Sequence, residues 1–441
     1  MTAFRSTPLS PSAAPGASAP AADATGPSGT GRRFELPPTV AYWLMAAVIG
    51  LALFASSTPS PLYATYREQW GFSSFVLTAV FAVYAIGVLA ALLLAGRISD
   101  DVGRRPVLIW SLAALIVATG LFLVATSVAW LFAARALQGI ATGVALGSAG
   151  AALLDLHPRR DSHSAGLANG VFSTAGMGLG ALIAATLVQY APMPTRMPYL
   201  VLLGIFAVLL AGAILMPEPV AERRRLNLRF EAPHVPAAIR GAFLLSSLGV
   251  LASWSIGGLF MSLGPQLATV ELATDNHLAG GVAILALTGS GAVSQLLFQR
   301  SAPWRLTAVG SLVLAIGMAA VVGSLSLDSA PLFLAAAALT GLGWGAAFLG
   351  SLRSLTAVIP AASRARTMSA FYLVAYTSIS VPALAAGLVV SSWGLLPTFR
   401  VFGAIVVAIG LVVAVASYRT RPARAGAREH VAGPAVVPVA D

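Results

Sequence analysis

The sequence predicts an all-α membrane protein: twelve transmembrane helices in two six-helix pseudo-repeats, with both termini in the cytoplasm. Three observations carry this expectation. Hydrophobic residues make up 58% of the 441 and charged residues only 9%, with a mean hydropathy of +0.86; a soluble domain carries about a quarter charged residues. The apolar residues are gathered into twelve long runs. The 26 basic residues, all of them arginine, fall almost entirely in alternate connections between those runs.

Residues 1–36 are rich in Ala, Pro, Ser, Thr and Gly and contain no apolar run. They read as a disordered cytoplasmic tail without the apolar segment of a signal peptide. The first set of runs covers 39–62, 74–95, 107–126, 129–153, 165–190 and 199–216, and the second 241–263, 278–298, 306–325, 331–359, 367–391 and 397–417. Each is long enough, at 1.5 Å per helical residue, to cross a hydrocarbon layer of about 30 Å. None shows the two-residue alternation of a barrel strand, so helices are the spanning form. Between the sets, 217–240 holds Glu218, Glu222, Arg223, Arg224, Arg225 and Arg229 between prolines and reads as a cytoplasmic linker. The halves are thus 37–216 and 241–418, and 419–441 is a second cytoplasmic tail.

An internal repeat supports the division. LFAARALQGIATG in the fourth run and FLAAAALTGLGWG in the tenth align at an offset of 202 residues, which pairs Gly139 with Gly341 and Gly143 with Gly345. Orientation follows from the arginines. With the termini inside, Arg67, Arg196 and Arg400 lie outside, Arg135 lies within a run, and the other twenty-two are cytoplasmic, as retention of basic residues on that face requires. The net charge of +11 then serves anionic lipid headgroups rather than nucleic acid. The absence of lysine, with abundant Ala, Gly and Pro, suggests a GC-rich bacterial genome, and hence the bacterial inner (cytoplasmic) membrane.

The connection between the second and third runs, GRISDDVGRRP at 96–106, concentrates Arg97, Asp100, Asp101, Arg104 and Arg105. Gly96 closes one helix, Asp100 is placed to meet an arginine or a helix N-terminus, and Gly103 permits a tight turn. In its pattern, Gly-x-x-x-Asp-x-x-Gly-Arg-Arg, the chain resembles the major facilitator superfamily of secondary transporters, whose loop between helices 2 and 3 carries this signature. The resemblance implies two parallel six-helix halves with substrate held at the midplane between them. It covers about 37–419.

The fourth run adds a second match. Arg135, Gln138, Gly139 and Gly143 fit the family's helix 4 pattern, Arg-x-x-Gln-Gly-x-x-x-Gly. An unpaired arginine near a helix centre costs about 2.5 to 3.5 kcal/mol, so Arg135 is expected to face the bundle interior. The alternative is snorkelling to the outer headgroups. The resemblance implies a role in coupling. In the fifth run GMGLGALIAA keeps Gly176 and Gly180 of the family's antiporter pattern, while Ala181 replaces its proline and Ala184 and Ala185 its glycines. These small residues read as packing surfaces.

All fifteen acidic residues lie in tails, loops or run ends. Asp100, Asp155 and Glu68 are therefore the candidates for charge pairing and proton exchange, with Asp155 a partner for Arg104 or Arg105. His157, His163, His234 and His277 read as solvated. Tyr84, Trp254, Trp344, Tyr372 and Tyr376 are candidates to line an aromatic, weakly charged cavity suited to lipophilic or neutral compounds. No intramembrane nucleophile–base pair or metal-ligand cluster suggests an enzyme, and a phosphate loop is impossible without lysine. The chain has no cysteine. The reading is a secondary active transporter, an efflux protein for small lipophilic or metabolic compounds that works by proton antiport. Its alternative is an importer or facilitator of a neutral solute such as a sugar. No cofactor, metal or nucleic acid is expected; the partners are a small-molecule substrate, the lipid bilayer and protons, and the chain is expected to act as a monomer.

Overall fold

Every apolar run becomes a helix. The computed structural model describes residues 35–95, 98–220, 232–271, 276–327 and 329–420. The two tails (to residue 34 and from 421), residues 221–231 of the linker, and Gly96 and Arg97 of the loop pattern lie outside the described residues. Helices α1 (Pro38–Ser57), α2 (Tyr63–Trp70), α3 (Ser74–Ala95), α4 (Ile98–Val102), α5 (Arg104–Leu123), α6 (Val128–Leu156), α7 (Ser162–Tyr190) and α8 (Met197–Leu215) form the first set. The second set is α9 (Arg240–Ser262), α10 (Gly264–Glu271), α11 (Leu278–Phe298), α12 (Pro303–Leu327), α13 (Ala330–Thr356), α14 (Arg364–Trp393) and α15 (Leu395–Arg419). Twelve of these are long and apolar enough to span a bilayer; α2, α4 and α10 are short connectors. There is no strand among the described residues.

The first expected span is shorter than the run 39–62. Thr58 to Leu62, with Pro59 and Pro61, form turns, and the chain re-enters a helix at Tyr63. Proline at these positions withholds N–H donors, so the backbone cannot continue one helix. This break carries Tyr63 and Arg67 on a separate helix at one end of the bundle, the Arg67 end. The opposite, Asp100 end holds α4 and the starts of α7 and α14.

Lipid supplies no hydrophobic drive between helices, so close approach of backbones must hold them together. The glycines supply it. Gly139 and Gly143 of α6 lie on Tyr84 and Val88 of α3, while Gly176 and Gly180 of α7 lie on Gly50 and Phe54 of α1. A Cβ at any of the four would collide with a backbone carbonyl of the neighbouring helix. The second set repeats the device: Gly341 and Gly345 of α13 lie on Leu287 and Gly291 of α11. The residues paired by the offset of 202 thus make equivalent helix crossings. Between the two sets the main seams are α3 with α14 and α7 with α11. Large apolar side chains such as Trp110, Val208 and Leu297 point outward, as a lipid-facing surface requires.

Candidate functional site

A cavity of about 910 Å3 runs between the two sets of helices. Its walls begin near the bundle middle at Ser56, Met261 and Ile379 and reach Ile98, Asp100 and Ala365 at the Asp100 end. Toward the Arg67 end the sets are joined. Arg67 Nη1 donates to Gln266 Oε1 at 3.0 Å, the backbone N–H of His277 donates to Gln189 Oε1 at 2.9 Å, and Gly281 packs on Ala181 and Ala185. The cavity is therefore open at one end and sealed at the other.

Tyr84, Trp254, Trp344, Tyr372 and Tyr376 all line this space. Trp254 lies 5.1 Å from Tyr376 in an edge contact and 5.5 Å from Phe348, centroid to centroid. Such offset and edge geometries suit the ring quadrupoles. Asp100 is the only formally charged side chain among the described residues of the wall, and it lies at the mouth. Glu68, on α2, is exposed at the far end and takes no part in the cavity.

Sequence reasoning passed over the uncharged polar residues of the wall: Asn169, Ser173 and Thr174 on α7, and Thr288 and Gln295 on α11. Gln295 Nε2 donates to Thr174 Oγ1 at 3.1 Å across the α7–α11 seam, and both residues are buried. The available signal was Asn169 and Ser173, four apart on one helix face within an apolar run.

Arg135 does not reach the cavity. It is fully buried one layer behind it, so the snorkelling arrangement is not adopted. Its Nε and Nη2 donate to the Tyr63 hydroxyl at 2.8 and 2.6 Å, and its Nη1 donates to the Ser56 carbonyl at 2.7 Å and to Gln138 Oε1 at 2.8 Å. Its guanidinium also stands 5.1 Å from the Tyr84 ring centroid and 5.9 Å from that of Phe122. Gln138 Nε2 in turn donates to the Ala55 carbonyl at 3.0 Å, fixing the end of α1 to α6. The charge is met by neutral oxygens and aromatic faces, which offsets the cost of burying it. Two of its contacts, Ser56 and Tyr84, are cavity walls.

At the Asp100 end, Arg104 organises the loop. Its Nη1 pairs with Asp100 and donates to Ser99 Oγ at 2.7 Å, and its Nε meets Asp155 Oδ2 at 3.1 Å. Arg105 turns the other way and donates to the Ile214 carbonyl. The carboxylate of Glu218 accepts from the backbone N–H groups of Arg104 at 2.9 Å and Arg105 at 3.2 Å, capping α5 where Gly103 turns with φ of 110°. A carboxylate at a helix N-terminus is favoured by both the free N–H groups and the helix dipole. No group of three or more His, Asp or Glu residues suited to a metal occurs among the described residues.

Residues 45–381 match the sequence profile of the family described as Major Facilitator Superfamily. The human vesicular acetylcholine transporter is 30% identical over 219 residues, which cover 49% of this chain and 39% of that protein. The uncharacterized MFS-type transporter YceJ of Bacillus subtilis is 25% identical over 236 residues, 52% of this chain and 60% of its own. The multidrug resistance protein MdtL of Escherichia coli is 38% identical over 96 residues, 22% of this chain and 25% of that one. The chain thus spans between 25% and 60% of the length of these curated relatives. The crystal structure of the human organic anion transporter MFSD10 (TETRAN) aligns with a TM-score of 0.64 at 17% identity, over 86% of this chain and 100% of that one. At that identity the likeness is one of fold.

Proposed function

The chain belongs to the Major Facilitator Superfamily, and from that premise we propose that it is a secondary active transporter exporting small lipophilic or metabolic compounds. The observation that carries the proposal is the cavity, open at the Asp100 end and sealed at the Arg67 end by Arg67–Gln266 and Gln189–His277. The arginine distribution supports a cytoplasmic Asp100 end, with both termini there, in a bacterial inner membrane. The arrangement is then an inward-open one. A compound enters from the cytoplasm, and the helix sets at 37–216 and 241–418 rock about the α3–α14 and α7–α11 seams. The Asp100 loop closes on the start of α14, and the contacts at the Arg67 end part.

In this scheme Arg104, held between Asp100 and Asp155, keeps the loop in shape for closure, and Arg135 fixes the end of α1 to α6 behind the cavity wall. Tyr84, Trp254, Trp344, Tyr372 and Tyr376 meet the compound, while Gly139, Gly143, Gly176 and Gly180 hold the helices close. Export in exchange for protons is the coupling we favour, with Asp100 the carboxylate in the cavity wall. One observation favours a second reading: Asp100 lies at the mouth, leaving the middle of the cavity without a carboxylate. That arrangement fits an importer or facilitator of a neutral solute such as a sugar.

The test uses the absence of native cysteine. Spin labels at His163→Cys and Arg364→Cys report on the Asp100 end, and labels at Gln69→Cys and Thr269→Cys report on the Arg67 end. Alternating access predicts two distance populations at each end, one widening as the other narrows. A single fixed distance at both ends would reject it. Flux of a compound panel in oriented proteoliposomes then assigns the direction.

A further inference from the structure

The cavity presents hydrogen-bonding groups that the protein itself leaves unused. The carboxamide of Asn169 and the hydroxyl of Ser173 lie one turn apart on α7, both in the wall, and neither hydrogen-bonds to another described residue. The indole N–H of Trp344 is buried in the wall without an acceptor. An unsatisfied buried donor is costly, so such a group points to a partner that arrives from outside.

These groups form one neighbourhood. The six-membered ring of Trp344 packs against Gly291 of α11, where an added Cβ would come within 2.7 Å of it. One turn along α11, Gln295 crosses to Thr174 of α7 and lies against Gly170, between Asn169 and Ser173 in sequence. Beside the Trp344 Nε1 stands Gly257, whose missing side chain leaves space: a Cβ there would be 3.9 Å from the nitrogen. Trp254, Phe348 and Tyr376 add tilted and edge-on aromatic faces to the same wall.

Charge is absent from this neighbourhood. Asp100 is at the mouth and already paired with Arg104, and Arg135 is enclosed behind Tyr84. A carboxylate or sulfonate entering here would lose its water with no cation to meet it, and an ammonium would find aromatic faces but no counter-charge.

We propose that the cavity selects compounds without net charge that join an aromatic or planar apolar portion to a carbonyl, amide or hydroxyl edge. The edge accepts from Trp344 Nε1 and exchanges hydrogen bonds with Asn169 and Ser173; the ring lies among Trp254, Phe348 and Tyr376. This inference rests on the transporter reading above and narrows its substrate class.

The test is binding to the purified full chain in lipid nanodiscs by three probes with one ring and different head groups: naphthylacetamide, naphthylacetate and naphthylmethyl-trimethylammonium. The amide is expected to bind at least about tenfold more tightly than either charged analogue. Trp344→Phe keeps the ring and removes the donor, and should weaken the amide by about two- to twelve-fold, the range for one neutral hydrogen bond. Asn169→Leu should act in the same direction, and neither variant should change the affinity of the charged probes. Tighter binding of the carboxylate or the ammonium overturns the proposal, as does amide binding that both variants leave unchanged. If no probe binds while the spin-label distances still exchange between two populations, the substrate class falls and alternating access stands. Fixed distances at both ends reject the transport reading itself.

Discussion

Arg135 and Tyr63, 72 residues apart in the chain, meet through two hydrogen bonds of 2.6 and 2.8 Å from the guanidinium to one phenol oxygen. Tyr63 is there because the prolines at 59 and 61 end α1 and let α2 begin beside α6. Tyr63→Phe leaves two buried N–H donors of a charged group without an acceptor, a loss of about 1 to 3 kcal/mol or more. The melting temperature of the purified variant should fall, while Gln138→Glu, which supplies a carboxylate to the same guanidinium, should restore part of it in the double variant. An unchanged melting temperature for Tyr63→Phe would remove Tyr63 from this role. Arg135→Lys should be only partly functional, because an ammonium lacks the planar fork that serves Tyr63, Ser56 and Gln138 together.

The glycine crossings give a paired prediction. At Gly180 an added methyl would lie 2.5 Å from Ser57 Oγ and 2.7 Å from Phe54 Cα, and at Gly143 it would lie 2.6 Å from the Ala91 Cβ. Gly180→Ala and Gly143→Ala should each destabilise by about 1 to 3 kcal/mol, the cost of overpacking a tight contact. Gly204 of α8 has nothing within 4 Å of such a methyl. Gly204→Ala should therefore be neutral or stabilise by about 0.5 to 1 kcal/mol through helix propensity. Thermal unfolding of the three variants in one detergent decides it: equal losses at all three would refute the packing argument.

How much of this was legible in the sequence depends on the distance over which each feature is determined. The helices at Ser74–Ala95 and Leu278–Phe298 agree with their apolar runs to the residue, because hydropathy within one segment defines them. The break after Ser57 was hidden: Pro59, Pro61 and Leu62 are apolar enough to extend the run, although proline interrupts the helix. The buried place of Arg135 was legible from its cost in lipid, but its acceptor was not, since Tyr63 reaches it only through that break. Tyr84, Trp254, Trp344, Tyr372 and Tyr376 are legible as cavity candidates because they are aromatic residues within the apolar runs. Asn169, Ser173 and Gln295 were passed over because uncharged polar groups in an apolar run can also bond to their own helix, as Thr174 does to the Gly170 carbonyl. Only the three-dimensional arrangement separates the bonded from the unbonded.

The seal at the Arg67 end predicts a shift in population. Arg67 is one of the few charged groups there, and its bond to Gln266 joins α2 to α10 across the two sets. Arg67→Gln should weaken closure by about 0.5 to 1.5 kcal/mol, one exposed or half-buried hydrogen bond. An equilibrium near balance would then move by about two- to twelve-fold toward the form open at the Arg67 end. Labels at Gln69→Cys and Thr269→Cys should record a larger fraction of long distances. An unaltered distribution would show that Gln189–His277 and the helix seams suffice.

The cap of α7 gives a pH dependence. Asp161 accepts from the Ser164 hydroxyl at 2.5 Å and from the backbone N–H of His163 at 3.0 Å. The Ser164 hydroxyl first, and then the His163 N–H, hold its carboxyl below the ordinary carboxylate value. A pKa that is lower folded than unfolded stabilises the protein above the unfolded value, near 4, and that stabilisation is lost as pH falls through the folded value. The melting temperature of the native chain should therefore exceed that of Asp161→Ala at neutral pH, and the gap should close below about pH 4. A gap that stays constant through that range would mean that the carboxylate charge contributes nothing to the cap.

Energy coupling turns on which carboxylate faces the substrate path. Proton antiport needs a group that is protonated from one side of the membrane and released to the other. Asp100 meets the cavity but is held by Arg104; Glu68 is exposed at the sealed end, outside the cavity. Asp100 is engaged by Arg104, so freeing its carboxylate requires that contact to open, which ties its availability to movement of the loop. Asp100→Asn should therefore abolish uphill export driven by a pH gradient in proteoliposomes, while downhill exchange of the same compound continues at a reduced rate and insertion is unchanged. Glu68→Gln should leave both intact. Gradient-driven export that survives Asp100→Asn but is lost in Glu68→Gln would transfer the role to Glu68. Wild-type flux that ignores the gradient altogether would establish facilitated movement of a neutral solute, the state for which a cavity without a central carboxylate is suited.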